Sequence, residues 1–183
     1  MMKEQMLTLA KEAGFEAGFA ETADFQYDPA TRVFCEENKC GNYNNNYACP
    51  PYCGTVEEMK AKCDKYTHAL VIKSNWPDVD VMDGPAMKPL KKQHNQKSRK
   101  LFNAIKKETG LTSDNTLMIM AGPCGLCPEC GMPTGKPCPM PQEVASCLSA
   151  YSILVNPLAD SAGLTCSWSM DTASFFSLLL FND

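Results

Sequence analysis

TLMIMAGPCGLCPEC, residues 116–130, decides how this chain is read. Thr116 to Met120 is a run of apolar and β-branched residues, the pattern of a short buried strand. It enters Gly122 and Pro123, which end regular structure, and then presents Cys124, Cys127 and Cys130 at every third position. A strand that opens into a thiol-bearing loop implies a sheet scaffold with its chemistry on the connections. Cys138, followed directly by Pro139, completes a group spaced C-x2-C-x2-C-x7-C.

Outward from this stretch, a helix is expected from about Pro89 to Gly110, with Leu90, His94, Leu101, Phe102 and Ile105 on one face. His68 to Lys73 reads as a strand before it, so strand, helix and strand form a crossover unit. Thr55 and Glu58 make a capping box that predicts a helix over about 56–66. Met2, Met6, Leu9 and Ala13 mark a first helix ended by Gly14, while 15–34 show no clear period. A helix should follow Pro141 as far as about Ser152, and Leu164–Met170 and Ser174–Phe181 read as two further strands. The expected fold class is α/β, a mixed sheet of four to five strands flanked by helices, with two cysteine-rich loops at one end. Residues 1–183 are expected to form a single metal-binding domain, with cysteine loops at 35–54 and 122–141.

The first loop holds the second notable group: Cys35, Cys40, Cys49 and Cys53, spaced C-x4-C-x8-C-x3-C. Asn44, Asn45 and Asn46 fill its long gap as turn-forming residues. Disulfides explain the two groups poorly, because the cysteine count of 11 is odd and the N-terminus lacks an export-length apolar run. The expected compartment is the reducing cytoplasm. Zinc commonly takes two separated C-x2-C pairs, which neither group supplies. The C-x2-C-x2-C run with a later Cys-Pro follows the bacterial ferredoxin pattern apart from a longer last gap. Gly122, Gly125, Gly131 and Gly135 let backbone amides approach the sulfurs. The favoured reading is two iron–sulfur clusters of the [4Fe–4S] type ligated by these eight cysteines; zinc at the same cysteines is the alternative. The two groups can also exchange a ligand, as two-cluster ferredoxins do.

Other thiol chemistries fit less well. Pro128, Gly131 and Pro133 forbid the helix that a thioredoxin-type C-x2-C needs. Radical chemistry on S-adenosylmethionine would need a cysteine where Val56 stands. Cys63, Cys147 and Cys166 read as small buried hydrophobes, with Cys63 and Cys147 also in reach of a substitute-ligand or reactive-thiol role. His68 and His94 read as structural or solvent-facing, and Trp76 and Trp168 as packing residues. The chain has neither a G-x-G-x-x-G loop nor a serine nucleophile elbow.

Charge is uneven along the chain. The net charge is −4, which disfavours general nucleic-acid binding. Residues 88–107 nonetheless hold 8 of the 17 bases and no acid. That segment is either a solvated helix face or a docking patch for an acidic redox protein. The longest apolar stretch, Phe175 to Phe181, is too short to span a bilayer.

These motifs resemble an uncharacterised bacterial and archaeal family of predicted metal-binding proteins of unknown function. The likeness rests on Cys35-x4-Cys40-Gly41 with Tyr43, on Cys49-Pro50-Pro51-Tyr52-Cys53-Gly54, and on Gly122-Pro123-Cys124-x2-Cys127-x2-Cys130 with Cys138 and Pro141. Ala150-Tyr151-x-Ile153-x-Val155 and the run Phe175 to Leu180 extend it over nearly the whole chain. The chain departs from the family where Arg-His-Pro and a further Arg typically follow the last cysteine; Pro139, Met140, Pro141 and Ala145 stand there. The resemblance implies metal binding and names no reaction. An electron-transfer role is the main functional expectation. A zinc-stabilised interaction module and an iron–sulfur enzyme with a three-ligand cluster are the alternatives.

Overall fold

The two longest apolar runs pair at the centre of the molecule. In the computed structural model, which describes residues 1–183, His68–Pro77 forms β2 and Thr172–Phe181 forms β4, antiparallel with His68 opposite Phe181. Both strands are buried on two faces, so their inward residues alternate between two layers. Ala69, Val71, Leu178 and Leu180 face one layer; Leu70, Ile72, Leu179 and Phe181 face the other. The edges are Glu16–Glu21 (β1) beside β2 and Thr116–Ile119 (β3) beside β4, giving the order β1-β2-β4-β3.

Helices cover both faces. Met2–Glu12 (α1) and Gly84–Thr109 (α4) pack Met6, Ala10, Leu101, Phe102 and Ile105 against one side. Val56–Cys63 (α3), Leu148–Tyr151 (α5) and Val155–Ser161 (α6) cover the other with Met59, Cys63, Tyr151 and Leu158. A short helix, Arg32–Glu36 (α2), leads into the first cysteine loop. No helix is long and apolar enough to cross a membrane.

The α/β class and the four-strand count agree with the sequence reading, with instructive differences. The sheet is antiparallel throughout rather than mixed. β2, α4 and β3 do form a crossover, but β4 inserts between the two strands and pairs with each. The only parallel pairing is an isolated bridge between Met120 and Cys147. Leu164–Met170 is not a strand: its Ser167 N–H goes to the Ser174 side chain rather than to a ladder carbonyl, and Ser169 N–H closes a turn on Thr172 O at 2.9 Å. The fourth strand is β1, where no period was legible.

Gly18 explains part of that obscurity. A Cβ there would stand 2.0 Å from the Ala162 carbonyl oxygen, so the strand must carry glycine where α6 crosses it. The helix expected to follow Pro141 is replaced by a 3-10 turn, an extended segment, α5 and α6. Met120 N–H donates to Ser146 O at 3.0 Å and Leu148 N–H to Met120 O at 3.3 Å, which draws this segment onto the end of β3. The capping box at Thr55 and Glu58 is present. α4 starts at Gly84, earlier than Pro89, because Asp83 accepts the Ala86 N–H at 3.0 Å as its cap.

Two buried polar groups are satisfied within the sheet. Lys73, 2 % exposed, pairs with Glu16 at 3.2 Å. His94, fully buried on α4, lies 2.7 Å from Ser74 Oγ through Nδ1 and 2.9 Å from Ser177 Oγ through Nε2. Burial, with Lys97 nearby, pushes its pKa down to about 4, so it is a neutral structural imidazole.

Candidate metal centre

The second cysteine loop begins where β3 ends. Asn95 on α4 accepts the Ala121 N–H at 3.1 Å and fixes the chain just before Gly122. The loop then closes on itself: Gly131 O accepts from Thr134 N–H at 3.1 Å and from Lys136 N–H at 3.0 Å. A Cβ on Gly131 would lie 2.9 Å from the Lys136 carbonyl oxygen, so this closure needs glycine. Cys124, Cys127, Cys130 and Cys138 are all half-buried and line one cavity of about 30 Å³ with Leu126, Met140 and Val144. Four soft donors in an apolar wall suit zinc or an iron–sulfur group.

The first loop is built by its asparagines, as their turn chemistry predicts. Asn38 Oδ1 accepts the Tyr43 N–H at 3.0 Å, Asn42 Nδ2 donates to Cys40 O at 3.0 Å, and Asn45 Nδ2 donates to Gly41 O at 3.1 Å. Cys35 lies on α2, Cys49 is buried, Cys53 is half-buried and Cys40 is exposed. Arg32 ties α2 to its surroundings, donating from Nε to Ala150 O at 2.9 Å and from Nη2 to Gly54 O. Lys62 Nζ donates to Cys53 O at 2.8 Å.

A fifth thiol joins this group. Burial raises the Cys35 thiol to about 11, and Cys147 is the next contributor, ahead of Cys40 and Cys53. Burial and then Cys147 also push Cys49 strongly up. Cys53 is raised by burial, against the pull of Arg32 and Lys62. Cys147 itself is raised by burial. Thiols held up in this way keep their protons at neutral pH, and a bound cation would displace them. In the sequence Cys147 reads as a core residue with a substitute-ligand or reactive-thiol role in reach; its bridge to Met120, which fixes its place, is invisible there. Cys63 is fully buried in the core, and Cys166 is half-buried on the connection leading to β4.

The two loops touch. Asn46, 6 % exposed, donates from Nδ2 to Cys124 O at 3.2 Å while its Oδ1 accepts the Ala48 N–H at 2.9 Å. Tyr47 donates its hydroxyl to Lys136 O at 2.6 Å and stacks edge-on against Tyr52 at 4.6 Å. All eleven cysteines are free, and no three His, Cys, Asp or Glu side chains converge tightly enough to enclose an ion as they stand.

Two adjoining loops thus carry eight free thiols, and a family match bears on what they do. The family model described as predicted metal-binding protein (DUF2284) matches residues 19–181. The chain belongs to the DUF2284 family. This DUF2284 chain is thus a predicted metal-binding protein, and the match covers both cysteine loops, β2, β3, β4 and the second half of β1. Comparison with curated proteins and with solved structures gave no match.

Proposed function

We propose that this DUF2284 protein carries two iron–sulfur centres and passes electrons between redox partners in the cytoplasm. Cys35, Cys40, Cys49 and Cys53 would hold one centre, and Cys124, Cys127, Cys130 and Cys138 the other. The observation that carries this reading is the shared cavity of Cys124, Cys127, Cys130 and Cys138. Their C-x2-C-x2-C…C-P order is that of cluster-binding loops rather than of paired zinc knuckles. Such groups supply reversible one-electron storage when bound.

The chain's own residues do the rest. Leu126, Met140 and Val144 limit water at the second loop, which keeps the local dielectric low. Asn46 and Tyr47 hold the two loops together, which favours transfer between neighbouring centres. The basic face of α4 is the proposed docking surface for an acidic redox protein. Lys88, Lys92, Lys100 and Lys107 are exposed there, whereas Lys91 and Lys97 lie over the rings of Phe175 and Phe15 and Arg99 pairs with Glu143.

The test is metal and sulfide analysis of Cys127→Ala and Cys49→Ala made without oxygen. Each variant should lose about half of the iron and sulfide, and the pair together nearly all. Full retention in either single variant contradicts the ligand assignment. Zinc in place of iron, without sulfide, would make the protein a zinc-stabilised module instead.

A further inference from the structure

Helix α4 sends a polar stripe toward the second cysteine loop. Lys92, Asn95, Gln96 and Arg99 are spaced i, i+3, i+4 and i+7, so they share one helix face. Together with Pro123, Cys124, Gly125 and Leu126 they line a cavity of about 310 Å³. That volume lies in the range of small-molecule sites. Lys92 also walls a neighbouring cavity of about 480 Å³ that contains Cys124, Cys127 and Cys130.

Two of the four donors, Asn95 and Arg99, are held in place, and Lys92 and Gln96 are exposed. Asn95 Oδ1 is committed to the Ala121 N–H, which turns Nδ2 toward Gly122, 3.6 Å from where a Cβ would stand. Arg99 is oriented by Glu143: Nη1 donates to Glu143 O at 2.8 Å and stands 3.8 Å from Glu143 Oε2. Its other N–H groups make no further hydrogen bond, and Lys92 has no acidic partner. Glu143 offsets one of the two positive charges, so the cavity keeps net positive character. Two cations and two amides converging on a concave site are the recognition chemistry of an oxyanion.

We propose that this cavity binds a small organic anion, a carboxylate or a phosphate monoester, beside Cys124. Its position gives the second centre a ligand-responsive neighbour, and that consequence rests on the iron–sulfur reading; the anion site itself does not. A concave pocket with the Asn95 amide fixed in its wall favours a small molecule over the carboxylates of a protein surface.

The test is calorimetric titration of the purified protein with succinate and with glycerol 2-phosphate at constant ionic strength. Metal content is measured on every sample. Saturable binding of at least one probe is expected, and the tighter of the two identifies the anion class. Lys92→Met and Arg99→Met should each weaken it roughly tenfold or more. Lys92→Arg should keep most of the affinity, and Lys11→Met, on α1 and away from the stripe, should leave anion binding unchanged. Metal content should be the same in all of these variants. Binding with zinc in place of iron would leave the anion site standing while overturning the redox reading. Failure of both probes to bind, binding of polyglutamate alone, or equal affinity in Lys92→Met and the unaltered chain would overturn the site.

Discussion

Asn46→Ala removes the side chain that joins the two cysteine loops, and its cost follows from two hydrogen bonds. The Ala48 N–H, which Asn46 Oδ1 accepts at 2.9 Å, belongs to a residue 1 % exposed. Left without a partner, a buried donor costs about 1–3 kcal/mol. The bond from Nδ2 to the half-buried Cys124 carbonyl contributes about 0.5–1.5 kcal/mol more. The combined loss is roughly 2–4 kcal/mol. For a chain of 183 residues each kcal/mol moves Tm by about 2–4 °C, so a fall of roughly 4–16 °C is expected. Asn46→Asp keeps an acceptor for Ala48 but loses the donor to Cys124, and should fall between the two. Differential scanning calorimetry on metal-loaded protein reads the shift, and chelator-driven metal release reads the second loop separately. Release from Cys124, Cys127, Cys130 and Cys138 should accelerate in Asn46→Ala although no ligand has changed. A Tm within about 2 °C of the unaltered chain and unchanged release, against an expected fall of roughly 4–16 °C, would refute the coupling of the loops through Asn46.

Other sites make independent predictions. His94 has a folded pKa of about 4 against about 6.5 when unfolded, so the unfolded chain takes up the proton first as pH falls. Its contribution is intact above about pH 6.5 and is lost progressively toward pH 4, up to about 3 kcal/mol; His94→Gln should flatten the pH dependence of Tm over that window, and parallel curves would rule it out. Gly18→Ala drives a Cβ into the Ala162 carbonyl and should destabilise by about 1–3 kcal/mol in urea titration; an unchanged midpoint means that β1 and α6 do not pack this closely. Arg32→Met unpairs the Ala150 and Gly54 carbonyls and should deplete metal at the first loop while the second stays loaded; equal loss from both contradicts the local role of Arg32.

Much of the molecule was legible where the pattern is local. The capping box at Thr55, the apolar runs of β2, β3 and β4, and the face of α4 through Leu101, Phe102 and Ile105 follow from period and cap chemistry. What escaped depends on partners distant in sequence. β1 carries Gly18 because a helix more than a hundred residues later crosses it. Leu164–Met170 has strand-like composition but forms no ladder, since its amides turn to the Ser174 side chain and to Thr172 O instead. The order β1-β2-β4-β3, with β4 inserted into the crossover, is likewise a long-range outcome. At the candidate site, both cysteine groups stood out by spacing. The approach of Cys147 to the first group did not, because it depends on backbone bonds from Ser146 and Leu148 to Met120. The proximity of Lys92 and Arg99 to Cys124 was equally hidden, since the basic segment read only as a charged helix face.

The central claim is that these thiols hold iron–sulfur centres. Iron, acid-labile sulfide and zinc, measured per chain on protein purified without oxygen, test it most directly. About eight irons and about eight sulfides with little zinc are expected. About two zincs and no sulfide would contradict it.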